Sequence, residues 1–107
     1  MPHSAIERQN PRAVSVSVTS DMIEVVLTDG RVISVPLAWF PRLLHGDKEE
    51  RSRTRLVGHG EGLHWPDLDE DVSVEALLAG RPSVESAASL KRWLAGRERA
   101  GKEKAGA

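Results

Sequence analysis

The feature that most constrains the fold is a set of alternating apolar residues interrupted by an Asp-Gly pair. Valines alternate with serines over residues 14–18, which is typical of a strand with one buried face. A second β-rich segment, 22–27, leads to Asp29-Gly30, a pair that readily adopts the positive φ angles of a tight hairpin turn. The chain then returns through residues 31–37. These segments predict three antiparallel strands in meander order.

Short helices are predicted downstream from capping and stop signals. Asp47 and Glu50 have the spacing of a capping box. Ser73 is placed to cap a two-turn helix that Gly80 would end. The predicted fold class is therefore α+β: an antiparallel meander sheet of three to four strands, with short helices packed on one face and a C-terminal helix.

The length of 107 residues suits one domain with a single core. Residues 1–12 are polar, contain proline and lack periodicity, so they predict a flexible N-terminal arm. Residues 13–82 form the predicted α+β domain, and residues 83–107 a C-terminal helix with a basic tail. Ser83 is the expected N-cap of that helix, and fraying is expected from Gly96 onward.

Charge separates the tail from the domain. Residues 1–82 hold nine Lys/Arg against thirteen Asp/Glu, a balance of −4, whereas residues 83–107 hold six against three, a balance of +3. The absence of cysteine excludes disulfide frameworks and thiolate chemistry. No apolar run reaches membrane-spanning length, and no signal peptide is recognisable. We expect a soluble cytoplasmic protein that needs no cofactor and contacts no membrane.

The most distinctive stretch, HWPDLDEDVSVEALL, spans residues 64–78. Asp67, Asp69 and Asp71 alternate with other residues, so an extended backbone would place the three carboxylates on one side, as a cation site requires. The stretch lacks the glycine and the final glutamate of a calcium-binding EF-hand loop. Alternatively, the carboxylates only favour the start of the helix that Ser73 caps.

Two segments resemble a known family. LTDGRVISVPLAWFPRLL and LVGHGEGLHWPDLDEDVSVEALLAG, with the motifs WFPRL and HWPDLDEDxSVxxLL, are similar to a bacterial and phage domain family of unknown function over roughly residues 14–80. The resemblance implies a small α+β protein that forms one half of a two-gene unit of the toxin-antitoxin type. Some members carry a C-terminal helix-turn-helix domain, which here is absent or reduced to one helix, and the resemblance supplies no catalytic residues.

Three functional hypotheses follow, of which a non-enzymatic protein-interaction module is the first. It is the antitoxin-like partner of a small neighbouring protein, a cognate toxin, and it could also pair with a second copy of itself. An acidic face would attract a basic partner, with aromatic or arginine anchors at its rim. The predicted partner-binding residues are Trp39, Arg42, Trp65, Asp67, Asp69, Glu70 and Asp71.

The alternatives belong to different classes. The first alternative is a DNA-binding transcriptional regulator that uses the basic tail. The second is a hydrolase-like or metal-dependent activity at His64, Asp67 and Asp69, for which no catalytic or metal-ligating set is complete in the sequence. The residues predicted for nucleic-acid binding are Arg92, Arg97, Arg99, Lys102 and Lys104.

Overall fold

The computed structural model describes residues 10–106, with side chains through residue 101. Most of the predicted N-terminal arm, residues 1–9, lies outside this range, and so do the side chains of Lys102 and Lys104. Within the described range, the chain forms two three-stranded antiparallel sheets, three short helices and a C-terminal helix. The predicted α+β class is therefore confirmed.

The first sheet is the predicted meander. Strands β1 (Ala13–Val18), β2 (Met22–Leu27) and β3 (Val32–Pro36) lie in the order β1-β2-β3. Gly30 adopts a φ of +89° in the β2–β3 turn, but Asp29 does not have the positive φ that the Asp-Gly prediction also required, so the hairpin is confirmed and its turn type is not. Alternate residues of β2 point inward and are buried, which gives the core face of the sheet; they are Ile23, Val25 and Leu27.

Two short helices follow this sheet. A 3-10 turn over Leu37–Trp39 leads into α1 (Pro41–Leu44), whose first residue is a proline, where its missing N–H costs nothing. Helix α2 (Lys48–Ser52) begins with the predicted capping box: the Asp47 carboxylate accepts from the Glu50 N–H, and the Glu50 carboxylate accepts from the Asp47 N–H.

A second sheet occupies the segment for which at most one further strand was predicted. Strands β4 (Arg55–Val57), β5 (Gly62–Trp65) and β6 (Glu70–Ser73) lie in the order β4-β5-β6. Helix α3 (Val74–Leu78) follows at once, with the Ser73 hydroxyl accepting from the Ala76 N–H as predicted. Gly80, at a φ of +70°, ends this helix.

The two sheets meet where a 3-10 turn over Gly58–Gly60 lies against the start of β1. Gly60 has a φ of +89°, and a Cβ atom there would lie 2.4 Å from the carbonyl oxygen of Ala13. This close backbone approach explains why glycine occupies position 60. Between the sheets lies one core; its fully buried side chains include Trp65, Leu37, Leu43, Leu63 and Leu68.

The C-terminal helix, α4, spans Ala87–Gly106. It begins four residues after the predicted cap at Ser83, and the Ser86 hydroxyl accepts from the Ser89 N–H at its start. The helix also continues past Gly96, where fraying was predicted. The predicted cap was wrong because the Ser83 N–H is bound by the Trp39 carbonyl, and the helical backbone beyond Gly96 differs from the predicted fraying.

Candidate functional site

The acidic stretch folds as a turn followed by a strand. Residues 66–69 form the turn between β5 and β6, and the Leu68 N–H donates to the Trp65 carbonyl at 3.3 Å. Leu68 is fully buried, and Asp69 adopts a φ of +50°, a left-handed conformation that aspartate tolerates better than most residues. The continuous extended backbone that would align the three carboxylates is therefore not formed.

Each carboxylate of this stretch has a different partner. Asp67 accepts from the Arg53 guanidinium, whereas Asp71 Oδ1 lies 2.8 Å from His64 Nδ1. The predicted pairing of His64 with Asp67 or Asp69 is therefore wrong in this fold. Among residues 10–101, no group of three histidine and carboxylate side chains is arranged to hold a metal ion.

The two tryptophans of the predicted partner surface lie in or beside the core. Trp65 has no exposed surface, and its Nε1–H donates to the Arg51 carbonyl at 2.9 Å. The prediction of Trp65 as a partner anchor is corrected on this ground: the side chain joins β5 to α2. Trp39 is half-buried against the core, and its carbonyl accepts from the Ser83 N–H at 3.0 Å.

Arg42 connects three parts of the chain. Its Nε and Nη2 donate to the Glu85 carboxylate at 2.6–2.9 Å. Its Nη1 donates to the Asp69 carbonyl at 2.9 Å and lies 3.4 Å from Asp69 Oδ2. The hydrogen bond from Arg42 lowers the pKa of Glu85. Arg42 therefore holds the acidic turn and the segment before α4 together.

The same guanidinium helps to dock α4. Trp93 lies between two cations: the guanidinium carbons of Arg42 and Arg97 are 5.2 Å and 4.8 Å from the centre of its ring system. Arg97 also donates two hydrogen bonds to Glu50, at 2.8 Å and 3.0 Å. Cation–π contacts contribute about 0.5 to 2 kcal/mol each, depending on desolvation. Helix α4 is thus attached through these charged groups and through packing of Trp93 against the core.

Acid is expected to release this attachment. Hydrogen bonds from Arg97 and Arg42 lower the pKa values of Glu50 and Glu85, respectively. Their stabilisation is complete above the unfolded-state pKa of about 4.3, and it is lost as the pH falls through the lowered folded-state values. In an acid titration below about pH 4, the NMR signal of the Trp93 indole N–H should move toward its position in an undocked helix.

A double variant supplies the reference for this titration. Glu50→Gln with Glu85→Gln removes both carboxylates, so its Trp93 signal should already lie near the undocked position at neutral pH. Glu70 acts with the opposite sign, because burial raises its pKa and its charged form is the unfavourable one in the folded chain. If the Trp93 indole N–H signal keeps its wild-type position both in acid and in the double variant, the charge-based attachment is contradicted.

Four predicted residues line one open groove. Arg42, Asp69, Glu70 and Asp71 face it with the segment 81–85, which forms the opposite wall. Its volume is about 590 Å³. The carboxylates of Asp69 and Asp71 are 82% and 76% exposed, whereas Arg42 is 16% exposed and already bound to Glu85. Arg81, which is exposed in the same lining, offsets one of these two charges, so the available charge in the groove is negative overall.

The matched region of a family model decides the classification. Residues 13–83 match the model described as "Protein of unknown function (DUF2442)". The chain belongs to this family. The DUF2442 match covers both sheets and α1–α3, and helix α4 follows it. This match confirms the part of the predicted resemblance that concerns membership of a domain family of unknown function.

Two solved structures are similar to this DUF2442 chain. A protein of unknown function from Rhodospirillum rubrum has a TM-score of 0.64 at 28% identity, covering 72% of this chain and 95% of its own. An uncharacterized protein from Chromobacterium violaceum, solved by NMR, has a TM-score of 0.62 at 24% identity, with coverages of 88% and 83%. The second likeness supports the fold alone. No curated protein matches the chain.

The basic residues predicted for nucleic-acid binding lie on the helix that follows the DUF2442 region. Arg92 and Arg99 are exposed on α4, seven residues apart and hence on one side of the helix. Arg97 is occupied by Glu50 and Trp93. None of the helices in the described part of the chain has the length and apolar character that crossing a bilayer demands.

Sequence reasoning missed two residues that organise this DUF2442 site. A helix capped by Ser83 would place Glu85 in its first turn, but Glu85 precedes α4 and is the counterion of Arg42. Glu50 was recognised only as part of a capping box, yet it also binds Arg97. Both interactions join residues more than forty positions apart, so no local pattern marks them.

Proposed function

We propose that this DUF2442 chain is a non-enzymatic protein-interaction module that holds a basic partner at its acidic groove. The observation that carries the proposal is the convergence of Arg42, Asp69, Glu70 and Asp71 on one groove. In keeping with the toxin-antitoxin resemblance, the partner is the small protein encoded beside the chain, and the chain acts as the antitoxin-like half.

Electrostatics supports a basic partner. Arg42 is neutralised by Glu85, whereas the exposed carboxylates of Asp69 and Asp71 remain available to an approaching cation. Complementary charge steers association and selects against partners of like sign. Trp65 has no part in this surface, and Trp39 and Asp67 lie outside the groove lining, so the proposed surface is smaller than the sequence alone suggested.

Nucleic-acid binding has less support. Arg97 is engaged within the chain, so Arg92 and Arg99 carry the two exposed guanidinium groups among the predicted residues whose side chains are described. Such a small footprint gives weak phosphate binding. An enzymatic reading has less support as well, since the predicted carboxylates around His64 point to different partners. The interaction module remains our proposal.

Removing the two exposed groove charges should weaken partner capture. We expect Asp69→Asn with Asp71→Asn to raise the dissociation constant for the neighbouring protein at least about tenfold, which corresponds to about 1.4 kcal/mol. Asparagine suits the positive φ of Asp69. The measurement is co-expression of the two proteins, size-exclusion chromatography of the complex, and calorimetric titration of the purified components.

Glu24→Lys is the matched control. It changes the net charge by the same two units, but Glu24 is exposed on β2, in the first sheet. Circular dichroism should show that all variants keep the wild-type fold. Equal capture by the groove variant and by wild type, or equal weakening by Glu24→Lys, would remove the acidic groove as the binding surface.

A further inference from the structure

Strand β6 has a free outer edge, because it lies at the end of the second sheet. Its register with β5 pairs Leu63 with Val72 and His64 with Asp71. The Val74 N–H donates to the Glu61 carbonyl just beyond the strand. Since hydrogen-bonded and non-hydrogen-bonded pairs alternate in antiparallel sheets, the main-chain groups of Asp71 point away from β5.

The same alternation applies to Ser73, and side chains already occupy part of this edge and of the turn before it. The Asp69 carbonyl accepts from Arg42, and the Asp71 N–H donates to Glu70 Oε1 at 3.0 Å. The Asp71 carbonyl and the Ser73 N–H come next along the edge. Within the described residues these two groups have no hydrogen-bond partner, and both residues line the groove.

The groove beside this edge is open to solvent and has a volume of about 590 Å³. Its wall opposite β6 is the segment 81–85, where Val84 is 98% exposed. The lining contains the carboxylates of Asp69, Glu70, Asp71 and Glu85 against two guanidinium groups, so negative groups exceed positive groups by two. An extended segment that carries lysine or arginine complements this charge.

We infer that the outer edge of β6 takes an extended, basic segment of the partner as an added strand, through the Asp71 carbonyl and the Ser73 N–H. This inference rests on the proposed function and specifies its binding mode. Addition of a strand to a sheet edge draws its affinity from main-chain hydrogen bonds, and side chains supply the specificity. Arg42 and Glu70 limit the length of edge that an added strand can use, because they already hydrogen-bond to the Asp69 carbonyl and the Asp71 N–H, respectively.

Ser73→Pro tests the edge directly, with Ser73→Ala as its matched control. Proline removes the outward N–H without removing a hydrogen bond to β5, and the Ser73 angles, φ −86° and ψ 137°, are close to those that proline adopts. Both variants lose the hydroxyl that caps α3. They therefore differ in the edge N–H and share the capping defect, which circular dichroism would monitor.

The probe is an eight-residue peptide of alternating lysine and valine with blocked termini, and its second form has N-methylated valines. The full chain is labelled with ¹⁵N and titrated with each peptide. We expect the plain peptide to shift the Ser73 amide signal and slow its hydrogen exchange. Ser73→Pro should bind this peptide at least about tenfold more weakly than Ser73→Ala, and N-methylation should cause a similar loss.

Equal peptide binding by the proline and alanine variants would overturn the edge inference. If Asp69→Asn with Asp71→Asn still weakened that binding, the groove would act through side chains and the proposed function would stand. No peptide binding by the wild-type chain would count against both the edge inference and the proposed function. A wild-type dimer that Ser73→Pro dissociates would place a second copy at the edge, which also overturns the inference.

Discussion

Replacing Trp65 with alanine is expected to lower the free energy of unfolding by about 3 to 5 kcal/mol. The side chain has no exposed surface, and its Nε1–H donates to the Arg51 carbonyl. Truncation leaves a cavity and removes one of the two hydrogen bonds that the Arg51 carbonyl accepts, the other coming from the Thr54 hydroxyl at 3.1 Å, so the cavity is the main cost. Domains of this size have about 5 to 15 kcal/mol in total, so the loss is a large fraction of the stability.

Urea denaturation followed by circular dichroism measures this loss, and Trp39→Ala is the matched control. Trp39 is the same residue type, but it is half-buried at the rim of the core. Its truncation should therefore cost less. Equal midpoints for the two variants would show that Trp65 is not the central core residue that its burial indicates.

Gly60→Ala is expected to destabilise the chain by about 2 to 5 kcal/mol, since two penalties act together. The φ of +89° is strained for any residue with a Cβ atom. The added Cβ would also lie 2.4 Å from the Ala13 carbonyl oxygen and 3.1 Å from its nitrogen. Because both neighbours are main-chain atoms, the contact is relieved only by moving β1 away from the 3-10 turn.

Gly30→Ala separates the two penalties. Gly30 has the same φ of +89°, but nothing lies within 4 Å of the position that an added methyl group would take. The difference between the unfolding free energies of the two variants, taken from urea melts, therefore measures the close approach of the sheets. We expect Gly60→Ala to be the more destabilising by at least about 1 kcal/mol. Equal unfolding free energies for the two variants would mean that the 3-10 turn moves away from β1 at little energetic cost.

The first sheet could be predicted because its signals are local. Alternating valines and Asp29-Gly30 determine the strands and the hairpin, and both short-helix caps, at Asp47 and Ser73, were also correct. Each of these features depends on residues within a few positions of one another. Propensity and hydrogen bonding inside such a window suffice to specify the backbone.

The site was harder to predict, because its geometry depends on distant contacts. The acidic residues have a period of two in sequence, but the buried Leu68 and the positive φ of Asp69 turn the backbone between them. Likewise, Ser83 is a reasonable N-cap by type, yet its N–H is bound by the Trp39 carbonyl and the helix begins later. A tertiary contact outweighs the local preference in each case.

The division into two meanders has a consequence for how the chain acquires its structure. Every strand pairs with its neighbour in sequence, so either sheet requires the closure of short loops alone. The long-range steps include the approach of Gly60 to Ala13 and the docking of α4 through Glu50 and Arg97. We therefore expect the sheets to form early and independently, with their docking as the rate-limiting event in refolding.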